Sequence, residues 1–109
     1  MSLLKKSRNV TIEGKDYVMM FDMKSVAMFR EVTGQTFTNA MPNLFAGDEF
    51  TILGFLGATL RPASNTKAPV GHDIFNAEKF DHLGLLLNHG KEVTALIAQS
   101  LPKTDTKKK

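Results

Sequence analysis

The chain of 109 residues is 42% hydrophobic and 23% charged, a composition that predicts one globular domain with a modest core. No apolar run reaches the roughly 18 residues that a transmembrane helix needs, and no apolar stretch follows the basic N-terminus as it would in a signal peptide. The sequence contains no cysteine, which excludes disulfides and thiolate metal sites and is typical of a reducing compartment.

The net charge of +3 is unevenly distributed along the chain. Residues 1–8 and residues 103–109 each carry +3, so residues 9–102 carry −3. We therefore predict a flexible leader over residues 1–8, a single globular domain over residues 9–102 and a disordered basic tail over residues 103–109. Basic ends can contact phosphates, but we favour solvated termini, and nucleic acid is not an expected partner.

The globular part is expected to begin with a β-hairpin. Val10 and Ile12 alternate with polar residues, and residues 13–16 supply a glycine-containing turn. Tyr17 and Met19 then resume the alternation. Two short alternating runs around such a turn predict two antiparallel strands.

A short helix is expected directly after the hairpin, and it organises the rest of the fold. Asp22 is a good N-cap, because its carboxylate can accept hydrogen bonds from the free N–H groups of the first turn. Gly34 occupies the position after the helix at which a residue in the left-handed conformation is usual. The apolar residues between them form one broad face: Met23, Val26, Ala27, Met28, Phe29 and Val32.

Two further helices are predicted in the middle of the chain. Thr38 or Asn39 is expected to cap a short helix that ends near Leu44. Asp48 is expected to cap the next helix, which ends at Arg61 because a proline follows. That helix contains Gly54 and Gly57, and small residues three apart allow another helix to approach closely. We favour tight internal packing there over a groove for a partner.

The last third of the sequence predicts a mobile loop followed by two helices. Residues 62–72 are rich in helix breakers and poor in large apolar groups. Asn76 is expected to cap a helix over residues 77–87, the Asn-His-Gly run at residues 88–90 to end it, and a last helix to span residues 91–101. The expected fold class is α+β, mostly helical, with the N-terminal β-hairpin packed on a bundle of about four or five short helices.

The sequence contains no recognisable constellation for catalysis or for metal binding. His72, His82 and His89 have no zinc-ligand spacing. The phosphate-binding, dinucleotide-binding and serine-hydrolase motifs are absent from the sequence. We therefore expect a protein that is not an enzyme and that uses no metal and no cofactor.

The order of these elements resembles the small tail assembly chaperones of long-tailed phages and prophages. The resemblance covers roughly residues 9–101. Its elements are a Gly-Lys-x-Tyr hairpin, a helix entered through Phe-Asp-Met and closed by Glu-x-x-Gly, a segment ending in Leu-Arg and a pair of short helices. In this sequence they correspond to residues 14–17, 21–23, 31–34, 52–61, 80–87 and 93–101.

The resemblance implies a non-enzymatic role in tail morphogenesis. Proteins of this family bind the tape-measure protein and recruit tail-tube subunits, so these are the expected partners. It implies the host bacterial cytoplasm as the location and no membrane association. Self-association is a further expectation.

Exposed apolar grooves and adaptable side chains suit a chaperone of helices. The residues predicted to contact the partner are Phe50, Leu53, Phe55 and Leu56. The methionines of the hairpin–helix region could form a second, adaptable surface, although filling of the core explains them equally well. They are Met19, Met20, Met23 and Met28.

Two other functions remain open at this point. The first is a structural phage component, such as a minor tail protein or a head–tail connector, which would persist in the finished particle. The second is a small nucleic-acid-binding regulator that uses its basic ends. Binding that survives removal of both ends, or that shows base preference, would favour the regulator.

Overall fold

The structure, a computed structural model, describes residues 7–101. Most of the expected leader, the residue before the basic tail and the tail itself therefore lie outside the described residues. Ser7 and Arg8, which the sequence assigned to the leader, belong instead to the first strand, β1 (Ser7–Ile12). The fold class is confirmed as α+β and mostly helical, with an N-terminal antiparallel sheet and four α-helices among the described residues.

The predicted hairpin is present and has a tighter turn than expected. β1 pairs antiparallel with β2 (Lys15–Met20), and only Glu13 and Gly14 connect them. Their φ angles of 51° and 80° are both left-handed, as a two-residue turn of the favoured twist requires. A third strand that the sequence did not predict, β3 (Leu60–Pro62), pairs antiparallel with β2 and gives the sheet order β1-β2-β3.

The first helix, α1 (Met23–Thr33), has the two ends that the sequence predicted. The Asp22 side chain accepts a hydrogen bond from the backbone N–H of Ser25, and the backbone N–H of Asp22 donates to the Ser25 hydroxyl. Each residue thus satisfies a free N–H group of the other. Gly34 closes the helix at φ 76°.

The next two helices follow each other closely. α2 (Phe37–Ala46) begins earlier than predicted, because Thr36 rather than Thr38 or Asn39 is its N-cap. α3 (Glu49–Thr59) is capped by Asp48, as predicted, but it ends before Leu60. Leu60 is already extended, because residues 60–62 pair with β2, and Arg61, which precedes Pro62, is in a position that disfavours helical backbone angles.

The C-terminal third differs most from the prediction. Residues 63–70 form the irregular loop, and a short 3-10 helix spans Gly71–Phe75. A single helix, α4 (His82–Ser100), replaces the two predicted ones. Its N-cap residue is Asp81 rather than Asn76, and it continues through the predicted stop at residues 88–90.

The core is built around α3, whose residues 51–59 are all buried. Helices α1 and α4, the sheet and the 3-10 helix pack around it. Gly54 and Gly57 serve internal packing, as the sequence favoured. A Cβ atom on Gly54 would lie 2.5 Å from Thr33 Cγ2 on α1, and one on Gly57 would lie 2.6 Å from the Gly71 carbonyl oxygen.

Candidate functional site

Three of the four residues predicted to contact a partner lie in the core. The exposed fraction of the side chain is 8% for Leu53 and 0% for both Phe55 and Leu56. Only Phe50 is exposed, at 47%, and its ring stacks on Phe75 at a centroid distance of 5.3 Å. The prediction is corrected accordingly for these three residues, because Phe55 and Leu56 have no accessible surface and Leu53 has almost none with which to contact a partner of the folded protein.

Phe55 lies at the centre of an aromatic cluster that explains its burial. Its ring stacks on Phe29 of α1 at a centroid distance of 3.8 Å. The rings of Phe21 and Phe37 meet it edge-on at 6.4 and 6.2 Å. These contacts join α1, α3, the start of α2 and the residue before the N-cap of α1 into one unit.

The methionines of the hairpin–helix region do not form one surface. Met19 is fully buried, and Met20 and Met28 are half-buried. Only Met23 is strongly exposed, at 68%. The structure therefore offers no continuous methionine patch among these residues.

An apolar groove lies between the end of α2, the beginning of α3 and one face of α4. Its volume is about 460 Å³. The residues that line it are Leu44, Phe45, Gly47, Ile52, Leu86, Gly90, Lys91, Thr94, Ala95 and Ala98. Lys91 is the one charged residue in this lining, so the groove suits an apolar occupant.

Small residues on α4 form the floor of the groove. A Cβ atom on Gly90 would meet Ile52 Cγ2 at 3.6 Å, an ordinary contact distance, so α4 packs beside α3 at this point with room for a methyl group. The Thr94 hydroxyl donates a hydrogen bond to the Gly90 carbonyl oxygen at 2.9 Å, so this donor is already satisfied within the helix. The floor accordingly presents little polar surface that an apolar occupant would have to desolvate.

Two exposed leucines on α4 lie outside the groove lining, towards the start of that helix. Leu83 and Leu87 are 65% and 76% exposed. With Gly90, Thr94 and Ala98 they recur at spacings of four, three, four and four residues, which places all five on one face of the helix. We call this face the α4 stripe. At 1.5 Å per residue it is roughly 22 Å long.

The three histidines have structural roles or are exposed. His82 Nε2 lies 2.8 Å from the Ile74 carbonyl oxygen, and His89 Nδ1 lies 3.0 Å from a Glu92 carboxylate oxygen. His72 is exposed. Among residues 7–101, no group of three or more His, Cys, Asp or Glu residues converges as a metal site would require.

The strongest polar cluster binds structural elements together. Arg61, which is 2% exposed, donates to both carboxylate oxygens of Asp22, at 2.7 and 3.1 Å, and to the Ser25 hydroxyl at 2.9 Å. It also donates to the Thr66 carbonyl oxygen at 3.4 Å. The guanidinium thus connects β3, the start of α1 and the loop.

This cluster changes the acidity of Asp22. Partial burial raises the pKa of its carboxyl group, but the hydrogen bonds from Arg61 and Ser25 and the positive charge of Arg61 outweigh that effect. The net result is a pKa below the ordinary value. A carboxylate that is already used as a helix cap and as a guanidinium partner is not available as a general base.

Sequence reasoning missed the groove for an identifiable reason. Leu83, Leu87, Thr94 and Ala98 share a face only if α4 is one continuous helix. The predicted stop at residues 88–90 divided that face between two helices. The exposed Phe45, at the end of α2, followed a predicted helix boundary and was not considered.

Comparison with protein-family models, with curated proteins and with solved structures finds no match to this chain. Within residues 7–101, none of the helices combines the length and the apolar character that crossing a membrane demands.

Proposed function

We propose that this protein is a non-enzymatic tail assembly chaperone of a long-tailed phage or prophage. It binds the tape-measure protein and tail-tube subunits during tail morphogenesis and acts in the host bacterial cytoplasm. The observation that carries the proposal is the apolar groove along α4. The hairpin, the first helix and the segment that ends in Leu-Arg supply the phage context, whereas the pair of short helices in the resemblance is a single helix, α4, in this structure.

A groove of this kind suits an amphipathic helix. Helices that dock in grooves use apolar anchors at successive turns, spaced three or four residues apart. The α4 stripe is roughly 22 Å long, which matches about four turns of a bound helix. The long helices of a tape-measure protein offer such apolar faces before they assemble.

The expected affinity is moderate, as temporary protection of a helix requires. Burying one large aliphatic side chain contributes about 1.5–3 kcal/mol. Three or four anchors would contribute roughly 5–12 kcal/mol, against an association cost of about 4–15 kcal/mol. Because the gain and the cost are of the same order, tight and irreversible binding is not expected.

The test uses a charge placed in the groove. Ala98 is exposed and lines the groove, so Ala98→Glu should leave the fold intact while forcing a bound helix to bury an unpaired carboxylate. We expect at least a tenfold loss of binding to a tape-measure protein from the same phage or prophage, measured by calorimetry or by co-purification after co-expression. Met23→Glu is the matched control, because Met23 is exposed but lies on α1, outside the groove.

Two results would contradict the proposal. In the first, the unmodified chain binds neither the tape-measure protein nor the tail-tube protein. In the second, Ala98→Glu and Met23→Glu weaken binding equally. Mass spectrometry of purified particles distinguishes a chaperone from a structural phage component. A structural tail component persists in the particle, and a chaperone does not.

A further inference from the structure

We propose that two copies of this chain associate through α4, antiparallel, with Leu83 and Leu87 of each copy lying in the groove of the other. The self-association stands on the geometry of the α4 stripe alone. Its consequence for function, a groove that is covered until a client helix displaces the second copy, rests on the proposed chaperone role.

The α4 stripe is divided by side-chain size. Its first half carries two exposed leucines, Leu83 and Leu87. Its second half carries only small residues, Gly90, Thr94 and Ala98, and these line the groove. One half therefore projects and the other half is recessed.

An antiparallel second copy matches these halves to each other. If Leu83 of one copy faces Ala98 of the other, then Leu87 faces Thr94 and Gly90 lies near the two-fold axis. Every large residue then meets a small one, and the same contacts occur twice. A parallel arrangement would instead place leucine against leucine and leave a gap between the small residues, which packs poorly.

The flanks of the stripe permit this arrangement. Lys91 is the one charged residue in the lining, and it lies beside the two-fold axis at the edge of the stripe. It is exposed, so its ammonium group can extend into solvent while its methylene groups cover apolar surface. Phe45 of α2, which is 51% exposed, forms the wall against which the leucines of the second copy would pack.

The contact area predicts a dimer that dissociates readily. The stripe is roughly 22 Å long and a helix is about 10 Å wide, so each copy contributes roughly 220 Å² of projected area. The total is well below the roughly 1,200 Å² that stable complexes bury. A client helix with the same apolar spacing could therefore displace the second copy.

The chain has no cysteine, which allows the register to be tested by disulfide formation. The double variant Leu83→Cys with Ala98→Cys places two cysteines at facing positions of the antiparallel dimer. We expect rapid formation of a covalent dimer under mild oxidation. Leu83→Cys alone should crosslink slowly, because the two Leu83 positions would lie roughly 22 Å apart.

The purified chain alone is used, so the result is independent of the chaperone role. Sedimentation analysis of the unmodified chain should show a monomer–dimer equilibrium, which Leu87→Glu shifts at least tenfold towards monomer. Met23→Glu and Met23→Cys serve as controls on a different element. The proposal is overturned if Leu83→Cys alone crosslinks as fast as the double variant, if Met23→Cys does so, or if the chain remains monomeric at high concentration.

If the dimer forms and Ala98→Glu leaves tape-measure binding unchanged, the groove serves self-association and the chaperone proposal fails. If the chain is monomeric and Ala98→Glu abolishes tape-measure binding, the groove serves client binding and the dimer proposal fails. The two proposals can therefore fail separately.

Discussion

Replacing Phe55 by alanine should destabilise this protein far more than replacing Phe50, although both phenylalanines lie on α3 and both were predicted to contact a partner. Phe55 is fully buried and touches aromatic rings from three directions. Phe50 is about half exposed and has one stacked neighbour, Phe75. The pair therefore compares core packing with surface packing within one helix.

The magnitudes follow from burial. Truncating a buried phenylalanine costs about 3–5 kcal/mol, because transfer energy is lost and a cavity remains. Full burial of a phenylalanine contributes about 1.5–3 kcal/mol, so half burial at Phe50, where no enclosed cavity would form, corresponds to about 1 kcal/mol. A domain of this size has a total stability of about 5–15 kcal/mol, so Phe55→Ala removes a large part of it.

Urea denaturation monitored by circular dichroism measures both variants. With a urea dependence of about 1.5 kcal/mol per molar, Phe55→Ala should lower the midpoint by about 2–3 M and Phe50→Ala by less than about 1 M. Equal shifts for the two variants would refute the assignment of Phe55 to the core. A folded Phe55→Asp variant would refute it even more directly, because that substitution buries a carboxylate without a partner.

Two further effects follow from individual contacts. Gly57→Ala should destabilise the protein by about 1–3 kcal/mol in urea denaturation, because the new Cβ would lie 2.6 Å from the Gly71 carbonyl oxygen; Gly90→Ala, with room for a methyl group, should instead stabilise α4 by up to about 1 kcal/mol. Because its folded-state pKa is lowered, the Asp22 carboxylate contributes stability above its ordinary pKa of 3.8 that is lost as the pH falls through the folded value. The difference in urea midpoint between the unmodified chain and Asp22→Asn should therefore shrink below pH 3.8, and a constant difference would exclude Arg61 pairing as its source.

The parts of the fold that local chemistry determines were predicted well. Asp22 and Asp48 cap the helices that they were expected to cap, and Gly34 closes α1 in the left-handed conformation. These interactions form between residues that are close in sequence, so the residue types alone predict them. The hairpin was recognised for the same reason.

The parts that tertiary packing determines were not predicted. Residues 88–90 have the composition of a helix stop, and a glycine within a helix costs about 1 kcal/mol relative to alanine. Burial of Leu85 and Val93, on either side of residues 88–90, outweighs this cost, so α4 continues as one helix. β3 is three residues long and gains its conformation from pairing with β2. No local sequence pattern predicts that pairing.

The error in the predicted contact residues has a physical cause that the sequence did contain. The large apolar residues of α3 occupy all sides of the helix, and a helix of that kind is buried rather than presented to a partner. Leu53, Phe55 and Leu56 were chosen for hydrophobicity alone, without evidence that α3 has an exposed side. In α4 an exposed side exists, because Lys91 and Ala98 are exposed while Val93 is buried.

Gly90 connects the fold to the proposed binding surface. A Cβ atom at this position would meet Ile52 Cγ2 at an ordinary contact distance of 3.6 Å, so the packing of α4 on α3 does not require glycine, but the missing side chain leaves the groove floor recessed. Alanine at this position should therefore stabilise the helix while partly filling the groove, so a gain in the urea midpoint should accompany weaker dimerisation and weaker binding of the client. A gain in stability with a loss of binding is expected where a small residue serves binding at some cost in stability. A Gly90→Ala variant that gains stability and loses no binding would mean that the floor of the groove is not the contact surface.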